Sequence, residues 1–223
     1  MTPQQTIESE PTSDSSLTFG EWFQLNNRMV GIGAMILVAA AIGVWYYLSS
    51  EQLKRQNAER GLTQAKQSIA AGNAALAMSD LQKVVDKYKG TPSGGEAALV
   101  LAQIDYDQGK YADGLAVLRQ YSARSAAGEN LGPVWALIGD GLIATNKLVD
   151  AADAYRQAAD ATTGPGERAV YHAKQARTLM LAGKDAEARA VWQAIADDPN
   201  ASGMHAEATI RLGELNVRPA GRS

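Results

Sequence analysis

The residues best equipped for acid–base or metal chemistry in this 223-residue chain are its two histidines, His172 and His205. A neutral imidazole ligates metals and carries protons near pH 7. A metal needs several donors converging on one point, and no carboxylate array shares a helical face with either histidine at ligand spacing. Cysteine is absent, which removes thiol nucleophiles, disulfides and Cys-based zinc sites. Two acid pairs remain, Asp105 with Asp107 and Asp197 with Asp198. Helix neighbours one or two apart point in different directions, so these read as solvated surface rather than as a catalytic pair. No nucleophile-elbow motif supports a Ser-His-Asp triad, and no glycine-rich phosphate loop follows a strand. The histidines read as surface residues. No catalytic residue, metal site, cofactor or small-molecule substrate is expected, and the chain is not expected to be an enzyme.

The elements that carry these residues are helices. Alanine is abundant, Phe occurs only twice and β-branched runs are few. Alanine loses no side-chain entropy on entering a helix, so this bias predicts an all-α fold. A repeat organises it. Gly72, Gly109, Asn146 and Gly183 stand 37 residues apart, and the same register aligns Ala65, Ala102, Gly139, Ala176 and Gly213. It also aligns Ala77, Gly114, Ala151 and Ala188, then Leu81, Leu118, Tyr155 and Trp192, then Val84, Tyr121, Ala158 and Ile195.

Such columns describe stacked helical hairpins. A small residue in the first helix admits the second, and a large residue four places after the next small one fills the gap. Gly or Asn between the helices ends the first in the left-handed conformation. The breaker-rich stretches Gly90–Gly95, Gly128, Gly164–Gly166 and Asp198–Asn200 predict linkers between units. Hairpins are thus expected at about 57–88, 95–124, 131–161 and 167–197, with an amphipathic helix from Ala206 to Val217 as half a fifth unit.

Ahead of the repeats, Met29 to Ser50 contains no charged residue. Twenty-two helical residues reach about 33 Å, enough for a hydrocarbon core of about 30 Å. Trp45, Tyr46 and Tyr47 suit the headgroup belt at its far end, and Phe19, Trp22 and Phe23, behind a capping-box spacing at Thr18–Glu21, suit an interfacial segment before it. The long apolar block and acidic leader favour an anchor over a cleaved signal peptide. Gly33, Ala39, Ala40 and Gly43 are the small residues at which another helix would approach closely. The expected division is a disordered acidic tail at 1–17, the interfacial segment and transmembrane helix at 18–50, the solenoid at 51–217 and a disordered tail at 218–223.

Charge excludes one class of partner. The net charge is −3, and Glu8, Glu10, Asp14 and Glu21 against Arg28 account for all of it. The repeat region is neutral and has no field to gather phosphates, so nucleic-acid binding is not expected. Charge also bears on topology: Arg28 precedes the span while Lys54, Arg55, Arg60 and Lys66 follow it, which by the positive-inside rule places the repeats in the cytoplasm.

The third unit, with Trp135, Ile138-Gly139, Leu142, Ala151, Tyr155 and Ala158, resembles the tetratricopeptide pattern, although the usual period is about 34 residues. That resemblance implies a partner groove lined by the first helix of each hairpin. Carried onto this register, its positions are Lys66, Gln103, Asp140 and Arg177 in one column and Ile69, Tyr106, Ile143 and Met180 in another. The competing reading packs the apolar column between hairpins. The basic clamp for a partner's C-terminal carboxylate is missing, since Leu99, Ala136 and Ala173 stand at its positions. The order of parts, from Glu21-Trp-Phe23 through Trp45-Tyr-Tyr47 into the repeats, resembles the YfgM-like ancillary subunits of the bacterial Sec translocon. The acidic leader departs from that family. The resemblance implies an inner-membrane protein with periplasmic repeats, an adaptor or chaperone-like accessory protein handling envelope or translocon proteins. A different class of reading is a structural accessory subunit that packs its helix against, and braces, a large membrane complex.

Overall fold

The computed structural model describes residues 27–124 and 130–217, and every regular element among them is helical. The helices are α1 (Asn27–Ala70), α2 (Ala74–Lys87), α3 (Pro92–Asp107), α4 (Tyr111–Arg124), α5 (Leu131–Ala144), α6 (Leu148–Asp160), α7 (Pro165–Leu181), α8 (Asp185–Asp197) and α9 (Ser202–Val217). A short 3-10 turn, Pro199–Ala201, precedes α9. The chain forms two compact units, one through Glu51 and one from Gln52. Helix α1 contributes to both.

In the first unit α1 is apolar and unburied. Ile32, Met35, Ile36, Leu37, Val38, Ile42 and Val44 are all exposed. It is the one described helix long and apolar enough to cross a membrane. Trp45, Tyr46 and Tyr47 are exposed at its far end. A β-carbon on Gly33 or Gly43 would meet nothing within 4 Å, and Ala39 and Ala40 are likewise open. Phe19, Trp22, Phe23 and the acidic leader lie outside the described residues.

In the second unit α3 pairs with α4, α5 with α6 and α7 with α8, and α9 lies on α7 and α8. The end of α1 meets α2 through Gly61 against Val84 and through Gln64 donating to Asp80. The turns inside the hairpins repeat atom for atom. Gly72, Gly109, Asn146 and Gly183 have φ of 74°, 74°, 57° and 75°. The next residue's amide then reaches five residues back, Asn73 to Ser68, Lys110 to Asp105, Lys147 to Leu142 and Lys184 to Leu179, at 2.8–2.9 Å. This bond satisfies a carbonyl that the helix end leaves orphaned.

Two linkers are shorter than their composition suggests. The Thr91 hydroxyl accepts the Gly94 amide at 3.1 Å and caps α3, so Pro92 to Gly95 are already helical. Pro165 likewise opens α7 rather than extending the loop. Proline costs nothing at a first helical position, where its missing N–H would be unpaired anyway. Helix α9 also begins at Ser202, four residues before the expected Ala206.

The core follows the columns. Ala65, Ala102 and Ala176 are fully buried beside Gly139, and Leu81, Leu118, Tyr155 and Trp192 are buried opposite them. Gly139 is needed where it stands: a β-carbon there would lie 2.7 Å from Tyr155 Cε1.

Candidate protein-interaction surface

The expected groove columns lie on the first helices, α1, α3, α5 and α7. Their polar members are tied to neighbouring side chains rather than presented as free charges. Lys66 on α1 meets Glu96 on α3 at 2.6 Å. Arg177 on α7 grips Glu207 on α9 from Nε to Oε1 at 2.6 Å and from Nη2 to Oε2 at 2.5 Å. Asp140 on α5 accepts from Lys174 on α7 at 3.0 Å and from the Tyr155 hydroxyl of α6 at 2.5 Å. Gln103 donates to Asp107 within α3 at 2.8 Å. Helix-to-helix ion pairs therefore clip the first two, the third and fourth, and the last two first helices.

The apolar column behaves differently from its expectation as a surface strip. Tyr106 is buried, with its hydroxyl donating to the Leu137 carbonyl at 3.2 Å. Its ring sits where β-carbons on Gly114 and Gly141 would be, so two glycines in neighbouring hairpins make its pocket. Tyr106 is a core residue, and its place in an open groove is corrected accordingly. Ile143 and Met180 are half-buried against the core clusters, and the Met180 sulfur accepts from the Trp192 indole N–H at 3.3 Å. Ile69 remains exposed.

The electrostatics favour fixed hydrogen bonds over proton transfer. Burial, and then the hydrogen bond to Asp140, pushes the Tyr155 hydroxyl far above the ordinary tyrosine range, so it stays a donor. Tyr106 and Tyr171 are raised first by burial as well, Tyr106 further by the charge of Asp140 and Tyr171 by its bond to Glu167. Arg177 holds the Glu207 carboxyl below its usual value. Asp105 differs from its reading as solvated surface. It is buried, and desolvation, with the charge of Asp113 behind it, raises its carboxyl. Asp107 is exposed, as expected of a solvated acid.

The histidines are engaged locally, His172 Nδ1 with Gln175 Oε1 at 3.2 Å and His205 Nε2 with the Asp198 carbonyl at 2.6 Å. Among the described residues no group of three His, Asp or Glu side chains is placed to hold a metal. Among the hollows of the second unit are two lined by more than one helix. One of about 550 Å³ lies between α1 and α2 beside Gln64, Asp80 and Lys83. The other, of about 500 Å³, lies among α6, α7 and α8 over Ala169, Val191 and Ile195.

A sequence profile of the tetratricopeptide repeat-like domain matches residues 20–129 and, in a second alignment, 54–176. The chain belongs to the tetratricopeptide repeat-like family. Repeats of this family are protein-interaction scaffolds, and the fold is typically non-catalytic. Among solved structures the chain is similar to the nearly identical TPR-like repeats of a Podosopora anserina protein assigned as a kinesin light chain. The identity is 16%, over 73% of this chain and 94% of that one, with a TM-score of 0.49. A point variant of those repeats gives the same values. No curated protein matches.

The inter-helix ion pairs were open to sequence reasoning that stopped short of them. Glu96 and Glu207 fall in one column of the same 37-residue register that aligns Lys66 with Arg177.

Proposed function

We infer that this chain is a non-catalytic, membrane-anchored tetratricopeptide adaptor that holds other proteins at a bacterial inner membrane. The observation that carries this reading is α1. One continuous helix bears an unburied apolar segment and then supplies the first helix of a protein-interaction scaffold. An apolar stretch of this length is unfavourable to leave in water and fits a bilayer without rearrangement. The order of parts, similar to the translocon-associated family, supports single-pass insertion with the repeats in the periplasm, serving envelope or translocon proteins. The partner-facing residues on this reading are the exposed and half-exposed members of the first-helix columns: Lys66, Ile69, Gln103, Asp140, Ile143, Arg177 and Met180.

The absence of cysteine makes the test clean. A single Lys147→Cys substitution puts a thiol on an exposed turn. In intact cells with a permeabilised outer envelope, a membrane-impermeant maleimide should label it, and alkaline washing should leave the chain in the membrane pellet. Release by the wash would remove the anchor from the proposal. Labelling only after lysis would put the repeats in the cytoplasm, as the basic residues after the span suggest.

A further inference from the structure

Helix α9 stands as the first helix of a hairpin whose second helix is absent among the described residues. Its Ala206 and Gly213 occupy columns that all four hairpins bury, and Ile210 a column buried in three of them. Val217 occupies a column buried at Tyr106, half-buried at Ile143 and Met180 and exposed at Ile69. Ala58, Gly95, Gly132 and Ala169 are all buried where α9 has the exposed Ala206. Ala65, Ala102, Gly139 and Ala176 are buried where α9 has the exposed Gly213, and a β-carbon on Gly213 would meet nothing within 4 Å. Leu62 and Ala173 are 5% and 0% exposed, while Ile210 in their column is 61% exposed. Val217, aligned with the buried Tyr106, is 83% exposed. Spaced by four, three and four, the four residues form one stripe along the helix.

At the two turn positions after Val217 the residue types differ from those of the hairpins. The amides of Ala71, Thr145 and Ala182 donate to carbonyls four residues back, and Gln108 does likewise. Pro219 stands in that column and has no N–H to donate, and Ala220 replaces the left-handed Gly or Asn.

The third hairpin shows what this stripe accepts. There Gly139 underlies the Tyr155 ring and the adjacent Asp140 takes its hydroxyl hydrogen bond. Helix α9 repeats that pair as Gly213 and Glu214, two units further on. Glu214 is half-exposed and paired to Arg211 through Oε2, which leaves Oε1 as a further acceptor.

We propose that the open face of α9 docks an amphipathic helix of a partner protein carrying a small residue and a tyrosine four places later, as in Ala151-x-x-x-Tyr155. It continues the helix-pair interface already built four times along the solenoid. A second copy of this chain is excluded as donor because its own helices of this kind are buried in its own hairpins. The inference rests on the scaffold reading but not on the anchor.

The test uses the full chain in detergent and a helix-stabilised, fluorescent peptide with the sequence of residues 148–160, read by anisotropy. Saturable micromolar binding is expected. It should weaken roughly tenfold or more in Gly213→Leu, which fills the space over the stripe, and by a smaller factor when the peptide tyrosine becomes Phe or when Glu214 becomes Gln. A β-carbon at position 213 would meet nothing within 4 Å, and melting of Gly213→Leu no lower than the parent's establishes that the fold survives. Absence of binding, or binding indifferent to Gly213→Leu, overturns the proposal. So does self-association of the chain that Gly213→Leu dissolves. None of these outcomes touches membrane insertion, so a failed docking face and a failed anchor give different results.

Discussion

Arg177 on α7 and Glu207 on α9 form a two-point charge-assisted contact, and Lys66 and Glu96 hold the same relation three repeats earlier, on α1 and α3. The two pairs clip the first and last steps of the stack of first helices. Between them Pro133 and Val170 stand at the glutamate positions, and Asp140 turns to Lys174 instead. The charged positions taken for a groove are thus also part of what fixes one hairpin on the next.

The planar guanidinium should make the Arg177 contact the stronger of the two, because its fork meets both carboxylate oxygens while the lysine meets one. A double-mutant cycle of Arg177→Ala with Glu207→Ala should give a coupling of about 1 kcal/mol, and the Lys66–Glu96 cycle under about 0.5 kcal/mol. Urea melts of the four variants and the parent measure both. Equal couplings would remove the distinction.

The same pair predicts a pH dependence. Arg177 lowers the Glu207 carboxyl below its ordinary value of 4.5 in the fold. A lowered folded pKa contributes stability that is present above the unfolded value and is lost as pH falls through the folded one. The Tm gap between the parent and Glu207→Gln should therefore hold steady from neutral pH down to the ordinary glutamate value, and close below it. A gap that widens on acidification contradicts the ion pair.

Gly139 and Gly213 share a column but not an environment, and one substitution separates them. At Gly139 the new methyl would meet the Tyr155 ring, so Gly139→Ala should destabilise by about 2 kcal/mol despite alanine's better helix propensity. At the open Gly213 the propensity gain alone remains, so Gly213→Ala should stabilise by about 0.5 kcal/mol. Thermal melts of both variants check the pair, and matching signs would contradict the register.

Asp105 is a buried carboxyl in a column that holds Leu142 and Leu179 later in the chain. Its raised pKa means the fold disfavours the charged form, so the cost is greatest at neutral pH and falls as the group protonates. Asp105→Leu should raise stability at pH 7.5 by about 1 kcal/mol, with a smaller gain at pH 5. Loss of stability at both pH values would assign the carboxylate a structural partner.

These residues show how far the sequence could be read. The hairpins and their turns were readable because a position that demands a left-handed residue recurs at Gly72, Gly109, Asn146 and Gly183, and a fixed period converts one such demand into four. The burial of Tyr106 was not readable. It depends on Gly114 in its own hairpin and Gly141 in the next, and a column alignment compares equivalent positions rather than facing ones. Asp105 was misread for a related reason: polarity predicted exposure, while the next two members of its column, Leu142 and Leu179, pointed to burial. The linkers were overextended because Pro and Gly mark helix starts as well as breaks, and Thr91 and Pro92 make a start. For the groove, residue type showed which positions carry charge but not that Lys66, Asp140 and Arg177 direct it to neighbouring helices.

A membrane-anchored adaptor is tested most directly by native separation of the full chain after mild-detergent extraction from membranes, with mass spectrometry of what co-migrates. An adaptor predicts extraction only with detergent and migration together with at least one other membrane or envelope protein. Fixed stoichiometry within one large assembly would make that adaptor a bracing subunit. Recovery in the soluble fraction, or migration of the 23.6 kDa chain alone from cells at native abundance, would contradict it.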